Sequence, residues 1–191
     1  DGALNALKDI TEHSAGLDML IAVGCPLRFR GELYNCAVVM KDGKILGVVP
    51  KKFLPNYNEF YEKRHFTAAP EGEYDIELFG ESVPFGLGLL FECRGTPELV
   101  FAAEICEDLW AAEPPSISLA LGGATLIANL SARLHDCGEG VLVYFKDAVH
   151  QREIKDYALA MGNGRADKVG SRAAGSYGKP AVVRELHHRA D

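Results

Sequence analysis

A chain of 191 residues has the length of one domain. Its 48% hydrophobic and 25% charged content is globular and excludes a disordered, collagen-like or low-complexity protein. A formal charge of -7 speaks against a nucleic-acid partner, which calls for a basic patch. No apolar run approaches the roughly 20 residues of a membrane helix, so no membrane association is expected. Five cysteines (Cys25, Cys36, Cys93, Cys106, Cys137) form no C-x-x-C pair, which fits a reducing, cytoplasmic setting better than a disulfide framework. The start, Asp1-Gly2-Ala3-Leu4, has neither a signal-peptide pattern nor a Met, and is expected to belong to an excised or partial chain. Charge is uneven: residues 1–132 carry 10 basic and 19 acidic side chains (-9), and residues 133–191 carry 10 and 8 (+2).

In chain order, apolar residues at 4, 7 and 10 predict a helix with one buried stripe. Residues 18–23 read as a short strand ending at Gly24. Residues 33–40 and 45–49 are β-branched runs joined by Lys41-Asp-Gly-Lys44, a hairpin signal because glycine supplies the positive φ of a tight turn. A loop with Pro55 leads to a short helix over 59–66. Residues 85–92 and 99–105 predict two more strands. Pro114-Pro115-Ser116 opens a helix that Gly122-Gly123 closes, and 126–130 form the next strand. Beyond it, 141–145 predict a strand, 147–161 a helix, and the Gly-, Ala- and Ser-rich stretch 162–179 a loop. The sum is an α/β fold with mixed strands.

Chemistry concentrates at two places. Cys106 sits where the apolar strand 99–105 turns abruptly polar, in Glu104-Ile-Cys-Glu-Asp-Leu-Trp110. A displayed thiol there could be a nucleophile, if a base or cation lies near it; local sequence alone leaves open a small buried core residue instead. Lys51 and Lys52 follow a strand and are either a solvated edge or a source of an ammonium for an oxyanion. The aromatics from Phe53 to Phe66 read singly as packing. No histidine spacing suggests a metal site, and the Gly-rich segments lack a phosphate-loop pattern.

Taken together, two runs are distinctive: Val48-Val-Pro-Lys-Lys-Phe-Leu-Pro-Asn-Tyr-Asn-Glu-Phe-Tyr-Glu-Lys-Arg64 and Glu104-Ile-Cys-Glu-Asp-Leu-Trp110. With Ala124-Thr-Leu-Ile-Ala-Asn-Leu-Ser-Ala132, Val23-Gly-Cys-Pro-Leu27 and Leu33-Tyr-Asn-Cys-Ala37, they resemble the glutaminase domain of glutamine-dependent NAD synthetases, in the nitrilase (carbon-nitrogen hydrolase) superfamily. The resemblance covers residues 1–132, leaving 133–191 as a divergent C-terminal segment. It implies a four-layer α-β-β-α sandwich with mixed sheets, incomplete at its N-terminus. It also implies glutamine hydrolysis through a cysteine thioester, with the ammonia passed to a synthetase domain. ATP, Mg and deamido-NAD are implied for that other domain, and no cofactor or metal for this one. A homo-oligomer is expected by resemblance only.

Residue by residue, Cys106 matches the nucleophile and Lys51 the catalytic lysine, with Glu62 orienting it and Glu59 as the alternative. Tyr57, Glu107 and Trp110 match positions that line the glutamine pocket, Glu107 receiving the α-ammonium. Two departures stand out. The family's general-base glutamate has no counterpart in this sequence, and Arg133 occupies a serine position. They imply a shortened, frame-disturbed or divergent coding sequence. Two other functions remain in play: a catalytically silent binding or assembly module, and an amidase for a different amide.

Overall fold

The computed structural model describes residues 2–57, 60–134, 138–145 and 182–186. Helix α1 (Gly2–His13) buries Leu7 and Thr11, one turn apart, and not the expected 4-7-10 stripe. Leu4 and Ile10 flank that line and stay 37% and 41% exposed. Thr11 tolerates burial because its hydroxyl donates to the Leu7 carbonyl at 2.8 Å. Strand β1 (Ile21–Phe29) runs through Gly24, where the sequence suggests an end, and on through Pro26. It lies at the edge of its sheet, the place where a residue without N–H does least harm to a ladder.

The first hairpin follows its sequence. Asp42 and Gly43 take φ of 49° and 74°, and β2 (Glu32–Lys41) pairs antiparallel with β3 (Lys44–Pro50) across them. A second hairpin, absent from the sequence reading, joins β4 (Glu73–Leu78) to β5 (Glu81–Gly86) through Phe79 and Gly80, at φ 53° and 83°. The strand expected over 85–92 is divided between two sheets. Its first part ends β5 at Gly86, and its second is β6 (Leu89–Cys93). Of the helix expected over 59–66, the described residues 60–66 hold one 3-10 turn, Glu62–Arg64.

The first sheet has the order β1-β2-β3-β5-β4, with β3 and β5 parallel. The remaining strands are β7 (Thr96–Ile105), β8 (Leu126–Leu134), β9 (Gly138–Phe145) and β10 (Val182–Leu186). They complete a second sheet of order β10-β6-β7-β8-β9. Helix α2 (Pro115–Leu121) makes the crossover between the parallel pair β7 and β8. The expected strand 141–145 lies within β9; the expected helix 147–161 and loop 162–179 lie outside the described residues.

Among the described residues, three apolar layers hold these elements together. Leu7 of α1 joins Leu27, Val38, Met40 and Phe85 on the outer face of the first sheet. Leu119 joins Leu90, Ala102 and Ile127 on the outer face of the second. Between the sheets lie Ala37, Val39 and Val49 from one side, with Phe91, Ala103, Ile105 and Leu130 from the other. Helix, sheet, sheet, helix is the four-layer order expected. Close approach at Gly47 shows how tight the middle layer is: a Cβ there would stand 2.9 Å from both Leu89 Cδ1 and Phe91 Cζ.

Candidate active site

Strands β3 and β7 belong to facing sheets, and each ends at one of the two predicted reactive residues. Lys51 follows β3 directly. Its backbone is fixed on both sides: its N–H donates to Asn35 O at 2.8 Å, and its carbonyl accepts from Ala69 N at 2.9 Å. Its side chain is wholly buried, and its ammonium donates to Glu62 Oε2 at 2.7 Å. A buried ammonium demands such a partner. The 3-10 turn supplies it, since Glu62 is the first residue of that turn. Of the two glutamates weighed for this role, Glu62 makes the contact; Glu59 lies outside the described residues.

Cys106 begins a second 3-10 turn, Cys106–Trp110, immediately after β7. It is half-buried and adopts φ of 47°, a left-handed conformation that is costly for a residue with a Cβ. A strained turn at a strand end pushes a side chain out of the ladder, as nucleophile elbows do. The next N–H, of Glu107, belongs to the first turn of that 3-10 segment, where the helix itself offers no acceptor.

Three polar residues that the sequence reading did not single out hold this turn. The carboxylate of Asp108 accepts from Phe53 N at 2.7 Å, Lys52 N at 3.1 Å and Ile105 N at 3.2 Å. It therefore joins the segment after Lys51 to the residue before Cys106. Burial pushes its pKa up to about 6, against the pull of those N–H groups, and the Glu104 carboxylate adds to the rise. Glu104 is also buried and shifted upward by desolvation. It accepts from Ser116 N at 3.0 Å and from Asn129 Nδ2 at 3.3 Å. Asn129 also donates to the Cys106 carbonyl at 3.2 Å. The available signal was a charge in the apolar run 99–105 and an amide in 126–130, polar groups whose burial requires partners.

Of the predicted pocket residues, Tyr57 and Glu107 meet: the Tyr57 hydroxyl lies 2.9 and 2.8 Å from the two Glu107 carboxylate oxygens. Trp110 closes the 3-10 turn and stands 67% exposed. Cys25 and Cys36 face each other in the β1–β2 register, buried, with thiol pKa values raised by desolvation, which marks them as core residues. Among the described residues, no cluster of three or more His, Cys, Asp or Glu could hold a metal ion, and no helix is long and apolar enough to cross a membrane.

The fold is an α-β-β-α sandwich in which β3 leads into a buried Lys–Glu pair and β7 into a cysteine on a strained turn, a nitrilase-type hydrolase architecture, and the sequence comparisons place the chain in that class. Residues 2–166 match the carbon-nitrogen hydrolase family, and the chain belongs to it. Within that family it is similar to the glutamine-dependent NAD(+) synthetase of Mycobacterium tuberculosis, with 46% identity over 131 residues, 69% of this chain and 19% of that protein. The enzyme of the same name from Thermotoga maritima is 36% identical over 156 residues, 81% of this chain and 23% of its own length. The crystal structure of the Cytophaga hutchinsonii synthetase superimposes with a TM-score of 0.55 at 26% identity, covering 80% of this chain and 23% of that one. The chain thus spans about a fifth of the length of the relatives it matches.

Proposed function

We propose that this site is that of a glutaminase. The observation that carries the reading is a wholly buried, ion-paired lysine tied by one carboxylate to the strained turn that displays Cys106. The Cys106 thiolate attacks the carbon of the glutamine side-chain amide and forms the C–S bond. The tetrahedral oxyanion is stabilised by the Lys51 ammonium and the Glu107 N–H. As it collapses, the C–N bond breaks; the nitrogen leaves as ammonia with the proton that the thiol gave up, carried by solvent water here because the family's general-base glutamate has no counterpart in this sequence. Water then cleaves the thioester, giving glutamate and regenerating the thiol. Glu62 holds the Lys51 ammonium in place, Glu107 receives the substrate's α-ammonium, and Tyr57 and Trp110 wall the pocket.

The named relatives extend the proposal to the longer protein. There the ammonia passes to a synthetase domain that uses ATP, Mg and deamido-NAD to make NAD, in a cytoplasmic homo-oligomer. The direct test on this chain is a chloromethyl ketone analogue of glutamine, which alkylates a nucleophilic thiol seated beside the pocket. Peptide mass spectrometry is expected to find the adduct on Cys106, with L-glutamine protecting against it and simple aliphatic amides not. Adducts spread over the other cysteines, or no protection by glutamine, would sink the reading.

A further inference from the structure

The apolar layer between the sheets sets how far apart they stand, but apolar contact has no direction and does not fix how β3 and β7 are aligned. Alignment decides whether an ammonium on one and a thiol on the other meet the same substrate atom. Asp108 supplies direction. Its carboxylate, only 1% exposed, gathers N–H groups from both sides: Lys52 and Phe53, immediately beyond Lys51, and Ile105, immediately before Cys106. Phe53 and Asp108 are 55 residues apart in sequence, so nothing local requires their contact. An ionised carboxylate is an expensive group to bury for packing alone, whereas as an acceptor of several N–H bonds it is a strong fastener.

We propose that Asp108 is a positioning residue: it holds the lysine-bearing and cysteine-bearing segments in one alignment, and the reactivity of Cys106 depends on it. This rests on the glutaminase reading. Asp108→Asn is a sharp test because it preserves shape. Placed at Oδ2, the NH2 faces the Ile105 N–H; placed at Oδ1, it faces the Phe53 N–H and leaves Lys52 only its longer 3.4 Å contact to Oδ2, so either placement weakens one side of the clamp.

The experiment measures inactivation kinetics with the chloromethyl ketone analogue, separating the maximal rate kinact from the half-saturating concentration KI. At a temperature where circular dichroism shows both proteins folded, Asp108→Asn is expected to lower kinact about tenfold, the worth of one bond to a charged group, and to leave KI nearly unchanged. A merely structural Asp108 would lower the melting temperature without moving kinact, and that result overturns the proposal. A wild-type chain without glutamine-protected labelling at Cys106 overturns the glutaminase reading itself, which is a different result. Amide exchange on the unmodified chain does not depend on the variant folding. The N–H groups of Lys52, Phe53 and Ile105 are expected to exchange as one protected unit, and independent exchange on the two sides overturns the clamp.

Discussion

Asn129 Nδ2 donates to Glu104 Oε1 at 3.3 Å, and the two residues are direct register partners on the parallel strands β7 and β8. The same amide reaches the Cys106 carbonyl at 3.2 Å, so the pair is both a rivet between strands and a support for the nucleophile's backbone. Asn129→Leu keeps the branched shape, in slightly greater bulk, and removes both bonds. Glu104, already disfavoured as an anion by burial, then loses a hydrogen-bond donor. The expected cost is about 1–3 kcal/mol, read as a lower urea midpoint. Replacing both partners together (Glu104→Leu with Asn129→Leu) should cost less than the sum of the single changes, since neither polar group is then left alone. Strict additivity would show that the pair is not coupled.

Lys51→Met separates chemistry from stability. Methionine fills most of the buried space but carries no charge. The partner left behind, Glu62, is 22% exposed at its side chain and can hydrate. Stability should therefore change modestly, while labelling of Cys106 by the glutamine analogue falls by at least about 10²-fold, the usual worth of a lost oxyanion donor. Glu62→Gln should fall less, because the ammonium remains. Equal reactivity in wild type and Lys51→Met would remove the lysine from the mechanism.

These residues divide sharply into those a sequence reader can see and those only the fold reveals. Asp42-Gly43 announces a hairpin because the backbone conformation it needs is nearly private to such residues. The β4–β5 hairpin hid because Phe79 takes the left-handed position that composition would assign elsewhere. β1 seemed to stop at Gly24 since Gly and Pro usually punctuate, yet at a sheet edge they cost little. The motifs alone make Cys106, Lys51 and Glu62 candidates; the Lys51–Glu62 contact comes from the fold. Asp108 was not a candidate, because its meaning lies in three N–H groups, two of which arrive from the segment after β3, 55 and 56 residues away in sequence.

The buried carboxylates also predict how stability follows pH. Asp108 titrates at about 6 in the folded chain against an ordinary value of 3.8, so the folded state binds its proton more tightly than the unfolded state. Between those values the native form holds more protons, and stability falls as pH rises through this window, then levels above it. The span corresponds to roughly 3 kcal/mol, and Glu104 acts in the same direction. Urea titrations of wild type and Asp108→Asn at pH 5 and pH 7 isolate the effect, because other groups cancel in the difference. Wild type should gain on the variant at pH 5. A difference independent of pH would refute the buried-anion account.

Gly47 tests the packing on which the site's alignment rests. It sits on β3, four residues before Lys51, where β3 crosses the face of β6. A Cβ at that position would lie 2.9 Å from the ends of Leu89 and Phe91, both wholly buried. The atoms it meets are the side-chain ends of Leu89 and Phe91, so Gly47→Ala requires those two side chains to shift within the layer between the sheets. The expected cost is about 1–3 kcal/mol, as for other overpacked cores, despite alanine's lower unfolded-state entropy, which on its own would stabilise. Truncating the obstruction should relieve it. Phe91→Leu is destabilising by itself, but in the Gly47→Ala background it should cost less than in wild type, with a coupling of the same sign in kinact for Cys106. If Gly47→Ala leaves the urea midpoint unchanged, the sheets have room to spare, and packing at β3 does not constrain where Lys51 stands.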